Sequence, residues 1–339
     1  MVRHRSDAGS TSQNPVAASA AGGDGRLPVL FLACSSFSGS TLLSFLLNTH
    51  PEITTVGHTI GWRYTPGERF YCSCSALLEA CAFWRHVADA FAAAGLPFSF
   101  HDFGTRYQIV GNDRLNRYLT AQLPRLRGDR VEALRDRLVA AVPAWRRRLA
   151  LQDRANETLM RAAMAYSGAR VYVDNTHSPY RLWHLARGPG LDLSVAYLVR
   201  DIRGTVYSYM KNHGWDVRNA TRIWLDEQAN ILRIGARFPR FMTVHYDDLC
   251  ERTEDTLAAL HAFVGVAPHR FDGDFGAVEH HILGNVMRFG AKRIAKDERW
   301  RSALDRRDIA YIETAARRFI ARRPGHPLGD ILRRHLNDD

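Results

Sequence analysis

A cluster of hydroxyl and small side chains, Ser35, Ser36, Ser38, Gly39, Ser40 and Thr41, interrupted by Phe37, follows an apolar run at 29–34 and precedes a second that opens at Leu42. A loop of this kind between a strand and a helix turns backbone N–H groups and the positive helix end toward one point, where a phosphate is stabilised. A nucleotide-hydrolysing P-loop has Gly five residues before its second Gly and Lys directly after it. Here those two positions are Cys34 and Ser40, while Thr41 keeps the hydroxyl. The usual partner of the β- and γ-phosphates is missing, which argues against ATP or GTP hydrolysis. An ordinary small-residue turn in a strand–helix unit is the plain alternative.

A second group begins at Arg200, after the apolar run 193–199, and continues through Asp201, Ile202, Arg203 and Gly204 to Ser208. With a helix starting near Ile202, Ser208 lies about two turns along it. The carboxyl end of a strand is where open α/β sheets bind ligands. Arg and Ser together can hold a second phosphate, although a strand-end Arg is often the ion-pair partner of a neighbour such as Asp201. Of the five cysteines, Cys72, Cys74 and Cys81 form a C-x-C-x6-C group. They offer three zinc ligands, with His58 or His86 as a fourth. The spacing is not a standard zinc pattern, and structural thiols are favoured. An odd cysteine count without a secretory leader points to reduced thiols.

Positioning these groups requires strands. Apolar runs at 29–34, 169–173, 193–199 and 241–244 read as buried parallel strands with turn or helix signals behind them. The pattern predicts an α/β architecture, a central parallel sheet covered by helices. Between the first and second strands lies an insertion-like region at 51–166. Its part 129–164 has helical periodicity and many arginines, Arg146, Arg147 and Arg148 among them, read as a solvated basic face. A helix is expected near Arg252, with Thr253 as cap and Leu257, Leu260, His261 and Val264 on its core side. Two more helical segments in 304–336 are separated by Pro324-Gly325.

Residues 1–25, rich in Ala, Ser and Gly, read as a disordered tail rather than a cleaved signal, leaving 26–339 as a single domain. At 46% hydrophobic and 24% charged residues, the 339-residue composition is that of a globular protein. No apolar run is long enough to cross a bilayer, so a soluble, cytoplasmic protein is expected. The formal charge of +11 favours anionic partners without choosing among them.

Together the two anion motifs resemble those of the sulfotransferases that use 3′-phosphoadenosine 5′-phosphosulfate (PAPS). The pattern SxSGSTLLxxLLxxHP from Ser36 to Pro51 is similar to the family's loop for the 5′-phosphosulfate. On that likeness Ser36, Phe37, Ser38, Gly39, Ser40, Thr41 and Leu42 contact the nucleotide there, and Arg200 with Ser208 clamp the 3′-phosphate. YVDNTH at 172–177 resembles the family's second strand and turn, and HYDDL at 245–249 its Tyr-Glu-Asp-Leu strand end. ILGNVMRF at 282–289, with Trp300 downstream, resembles a late nucleotide-facing loop and adds Asn285 and Arg288. The likeness covers about 29–300 apart from the variable insertion.

The resemblance implies a three-layer, P-loop NTPase-like fold with helical insertions and a helical C-terminus. It also implies sulfonyl transfer from PAPS to a hydroxyl or amine, adenosine 3′,5′-bisphosphate as co-product, and no required metal, so that the absent Lys is dispensable. Relatives carry Arg or Lys just before the Ser-Gly pair, where this chain has Phe37. A compensating cation would come from Arg288, Lys292, Arg293 or His177. His177 stands where relatives have Lys in an Asp-Ser-Ser-Lys turn, placing it near the sulfonyl group. His58 stands where relatives have Glu in a Val-Gly-Glu turn, and is preferred to His177 as the base, since a neutral imidazole accepts protons near physiological pH. Asp174 is expected to orient its turn.

The acceptor-side region is expected at about 59–166, where Trp62, Tyr64, Phe70, Tyr71, Phe83 and Trp84 either line a cleft or form core. A carbohydrate, a lipid-linked sugar, a phenol or an alcohol all fit, and oligomeric state stays open. Two other classes compete. A P-loop kinase of a small metabolite would need magnesium and ATP, and the missing Lys speaks against it. A non-catalytic basic binder of nucleotide or nucleic acid is suggested by the net charge and Phe37, but no stacking platform or groove-reading motif accompanies it, and nucleic acid is not expected as a partner.

Overall fold

The run Leu27–Cys34 forms strand β1, and its alternation explains why the sheet is covered on both faces. Leu27, Val29, Phe31 and Ala33 enter one hydrophobic cluster, and Leu30, Leu32 and Cys34 enter another. Successive strand side chains point to opposite faces, so a strand apolar at every position needs two covers. The computed structural model describes residues 25–59, 69–121, 128–188, 190–276, 278–284, 289 and 294–337. The expectations for the tail up to residue 24, Trp62, Tyr64, Asn285, Arg288, Lys292 and Arg293 lie outside the described residues.

After β1 come α1 (Ser40–Leu47), β2 (Ile53–Thr54), α2 (Ala82–Ala93), α3 (Asp113–Thr120), α4 (Asp129–Ala141), α5 (Pro143–Ser167), β3 (Val171–His177), α6 (Pro179–Leu185) and β4 (Leu191–Val199). The chain continues with α7 (Ile202–His213), α8 (Val217–Gly235), β5 (Phe241–His245), α9 (Tyr246–Glu251), α10 (Thr253–Val264), α11 (Trp300–Ala303), α12 (Arg306–Arg322) and α13 (Leu328–Asn337). The five strands are parallel, in the order β2-β3-β1-β4-β5. Helices α1, α9 and α10 pack on one face. Helices α2, α5, α6, α7, α8, α12 and α13 build the larger core on the other. The three-layer α/β architecture with a helical C-terminus is thus the one expected. The two-residue β2 is too short to leave a periodic signal.

One local expectation is refined, a second is corrected and a third, left open between two readings, is resolved. The stretch 129–164 is two helices, because Pro143 cannot continue α4 and instead opens α5 at its first position, with Val142 extended before it. Thr253 does not cap α10: its Oγ1 donates to the Leu249 carbonyl at 2.8 Å, and the cap position is Arg252. Phe83 and Trp84 are core, not cleft; both are fully buried, and Trp84 stacks on Phe103 at 4.8 Å. Among the described residues no helix is long and apolar enough to cross a membrane.

Candidate active site

The loop between β1 and α1 turns through two left-handed residues, Phe37 (φ 63°) and Gly39 (φ 93°). Gly39 is required twice over: its φ disfavours a side chain, and a Cβ there would lie 2.5 Å from the Tyr246 ring. The first helical bond of α1 runs from the Leu43 N–H to the Gly39 carbonyl at 3.1 Å. The amides of Ser40, Thr41 and Leu42 therefore have no intrahelical acceptor. Ser38 is buried with its hydroxyl 2.8 Å from that of Ser35, and the Leu42 side chain is in the core, so what these two can offer a ligand is backbone. Ser36 is exposed.

Strand β4 pairs with β1 so that Leu198 stands opposite Cys34, which sets Arg200 beside the loop. Arg200 does not pair with Asp201, which binds Arg203 instead at 2.9 Å. The Arg200 Nη1 donates to the Phe37 carbonyl at 3.1 Å, and Nη2 to the Asp297 carbonyl at 2.5 Å, with the Asp297 carboxylate at 3.2 Å. Its guanidinium lies 4.9 Å over the Tyr246 ring. Arg299 first, and Arg200 after it, hold the Asp297 carboxyl well below the usual range. Ser208 is buried on α7, its hydroxyl donating to the Gly204 carbonyl at 2.9 Å. Trp300 packs on the same helix start, with Arg203 stacked 4.4 Å over its ring.

Strand β3 reaches the same edge with a bulge: Phe31 faces Asp174, but Ala33 faces His177. The bulge is held from below. Asp174 accepts from the Thr176 N–H at 3.1 Å and pairs in the buried interior with Arg181 at 2.8 Å. Beyond it His177 takes a left-handed conformation (φ 63°) and sets its Nε2 2.7 Å from the Ser40 hydroxyl. The ring of His58 stands edge-on to it, centroids 5.2 Å apart. His58 is carried by Gly57, which bridges to Leu283; the His58 N–H donates to the Leu283 carbonyl at 3.0 Å. Enclosure lowers the imidazole of His58 to about 4 and that of His177 to about 3, so both are neutral at physiological pH.

Of these groups, Ser35, Ser36, His58 and His177 line a cleft of about 630 Å³, whereas Gly39, Ser40, Thr41, Leu42, Arg200 and Ser208 do not belong to its lining. Cys34, Ser35, Ser36, His58, Thr176 and His177 form its sheet-edge wall. The opposite wall is mainly α8, through Arg222, Ile223, Asp226, Glu227, Asn230 and Ile231, joined by Arg117 of α3. Of the insertion, the lining includes Arg117, whereas none of Phe70, Tyr71, Phe83 and Trp84 belongs to it. Glu227 was missed from the sequence. It faces the cleft, accepts from the Tyr209 hydroxyl at 2.5 Å, and its carboxyl is raised by the surrounding walls. The signal available was the i, i+4, i+8 repeat of Arg222, Asp226 and Asn230 beside Ile223, Glu227 and Ile231, which puts six residues on adjacent rows of one helix face. Away from the cleft, the side chain that joins Cys72, Cys74 and Cys81 is His281, not His58 or His86.

No protein-family model matches the chain, and no curated protein matches it. Among solved structures it is similar to the sulfotransferase domain from the Synechococcus PCC 7002 olefin synthase, at 21% identity over 86% of this chain and 96% of that one, with a TM-score of 0.48. It is also similar to the sulfotransferase domain from the curacin biosynthetic pathway, at 18% identity over 86% and 98% of the two chains, TM-score 0.40. A third likeness is to sulfotransferase STF9 from Mycobacterium avium, at 14% identity over 72% and 64%, TM-score 0.38.

Proposed function

We propose that this protein moves a sulfonyl group from PAPS to a hydroxyl or amine of a small polar acceptor, releasing adenosine 3′,5′-bisphosphate. The observation that carries this is the hydrogen bond from Arg200 to the Phe37 carbonyl, which sets the cation at the end of β4 against the loop whose amides open α1. The free N–H groups of Ser40, Thr41 and Leu42 suit one phosphate, and the guanidinium of Arg200 near Ser208 suits another. Asn285 and Arg288 stay nucleotide-side candidates by sequence alone.

PAPS supplies a sulfonyl group activated by a phosphate leaving group. The α1 amides, with the hydroxyls of Ser40 and Thr41, stabilise negative charge growing on that phosphate in a site that needs no reorganisation. Arg200 and Ser208 fix the far end of the nucleotide and so its alignment. His177, neutral and tied to Ser40, offers an N–H toward the sulfonyl oxygens. His58, neutral and held by Gly57, is assigned the acceptor proton, with enclosure making it a weaker base than a free imidazole. The charged and amide side chains of Arg117, Arg222, Asp226, Glu227 and Asn230 across the cleft support a hydroxyl-rich acceptor such as a carbohydrate over an apolar phenol.

The test is thermal stability with adenosine 3′,5′-bisphosphate against magnesium-ATP, followed by transfer of label from PAPS into a panel of sugars, alcohols and phenols. A rise in melting temperature with the bisphosphate alone is expected. No rise at millimolar ligand, or a rise with magnesium-ATP only, overturns the proposal.

A further inference from the structure

We propose that Cys72, Cys74, Cys81 and His281 bind one structural zinc ion. The site lies outside the catalytic cleft and stands independently of the sulfonyl-transfer proposal. The sequence disfavoured zinc because C-x-C-x6-C matches no standard spacing and its fourth ligand was sought nearby, at His58 or His86. The fold supplies a fourth donor two hundred residues along the chain from Cys81.

Three of the six donor separations match those of a tetrahedron. With zinc–sulfur bonds of about 2.3 Å and zinc–nitrogen bonds of about 2.0–2.1 Å, tetrahedral geometry puts two sulfurs about 3.8 Å apart and a sulfur and nitrogen about 3.6 Å apart. Here the Cys74 and Cys81 sulfurs are 3.7 Å apart, and the His281 Nδ1 lies 3.6 Å from the Cys72 sulfur and 3.4 Å from that of Cys81. All four atoms lie within 4.8 Å of one another. A disulfide would use two of the four and leave a thiol and an imidazole converging on nothing. Three thiolates with one imidazole in this geometry select zinc among the common divalent ions.

The surroundings are those of a built site. Cys72, Cys81 and His281 are buried and Cys74 is half-buried. The backbone amides of Cys74, Ala76 and Trp84 are hydrogen-bonded to the sulfurs of Cys72, Cys74 and Cys81, which fixes where the three sulfurs point. Cys81 also stands at the start of α2, where the helix end favours negative charge. Ser75, left-handed at φ 69°, lets the chain turn sharply between Cys74 and Cys81. The His281 Nε2 lies 3.5 Å from the Glu279 carboxylate, the outer partner that orients a metal-bound imidazole, and the ring is stacked on Phe83 at 4.5 Å. Ser73 ties the two segments together, donating to the His280 carbonyl at 2.6 Å and accepting from the Ile282 N–H at 2.8 Å.

The site would fasten the start of the insertion to the strand-like segment whose Leu283 carries Gly57 and His58. Zinc would therefore brace one wall of the cleft without entering it.

The experiment is metal analysis of the full chain, grown with zinc and purified under reducing conditions without chelator, with cobalt substitution of the metal-stripped protein. One zinc per chain is expected, together with the ligand-field and thiolate charge-transfer absorption of tetrahedral cobalt. Cys74→Ser and His281→Asn should each weaken zinc retention against a competing chelator at least tenfold. Cys250→Ser, on a thiol elsewhere, should not. If the ligand variants fail to fold, the wild-type zinc content and cobalt spectrum decide. Less than a tenth of a zinc per folded chain with no cobalt absorption, or a disulfide among these three cysteines in the purified protein, overturns the site.

Discussion

Replacing Arg200 with Ala should weaken adenosine 3′,5′-bisphosphate binding by about 30- to 150-fold. In the ligand-free protein two guanidinium nitrogens are engaged, Nη1 with the Phe37 carbonyl and Nη2 with Asp297. Turned onto a phosphate they would make two charge-assisted hydrogen bonds, each contributing about 1.5–3 kcal/mol. Part of that gain is offset by loosening the Asp297 pair, leaving about 2–3 kcal/mol, or about 1.5 to 2.2 decades in Kd. Ser208 presents a neutral hydroxyl already bonded within its helix, so Ser208→Ala should cost only about 1 kcal/mol, roughly fivefold. The two effects should not add, since the residues would share one group. Isothermal titration calorimetry measures this directly. The variant should fold, because Asp297 keeps Arg299 as a partner at 2.7 Å. A folded Arg200→Ala protein whose Kd lies within threefold of the wild type would refute the phosphate clamp.

Asp297→Asn removes a partly exposed negative charge from beside Arg200 and should tighten bisphosphate binding by about fivefold, about 1 kcal/mol, an effect that shrinks with salt. Weaker binding by the same calorimetry would show that Asp297 positions Arg200 rather than competing for it. In the ligand-free protein the His58 imidazole should titrate near 4 by NMR, and a midpoint near 6.5 would contradict its enclosure. Because folding keeps His58 and His177 neutral, the unfolded chain takes up protons below about pH 6.5 that the folded one refuses. Their contribution to stability is therefore complete above that pH and is lost as pH falls toward 4 and then 3. Arg181→Met leaves Asp174 uncompensated in the interior and should cost about 3–5 kcal/mol in denaturant unfolding; a loss under 1 kcal/mol would mean that water reaches the pair. Gly39→Ala combines a strained φ with a clash on Tyr246 and should cost more than the roughly 1–2 kcal/mol of a left-handed residue alone, read in the same assay; an unchanged midpoint would mean that the loop is not held as described.

What the sequence determined by itself was local. Continuous apolar runs between turn residues specified parallel strands, because a strand buried on both faces must be apolar at successive positions; β1, β3 and β4 follow from that rule, whereas the apolar run of β5 forms an edge strand in which only Val244 is buried. The serine-glycine loop and Arg200 were visible for the same reason: strand ends next to helix starts are marked by residue type over a short span. Tertiary structure alone decided which distant side chains meet. Sheet order brings Arg200 against Phe37, and packing across the sheet edge turns α8 rather than Phe70, Tyr71, Phe83 or Trp84 toward the cleft. It also brings His281 to three cysteines two hundred residues away. Those pairings depend on how elements stack, a cooperative outcome of burying both faces of one sheet, and sequence separation carries no record of it.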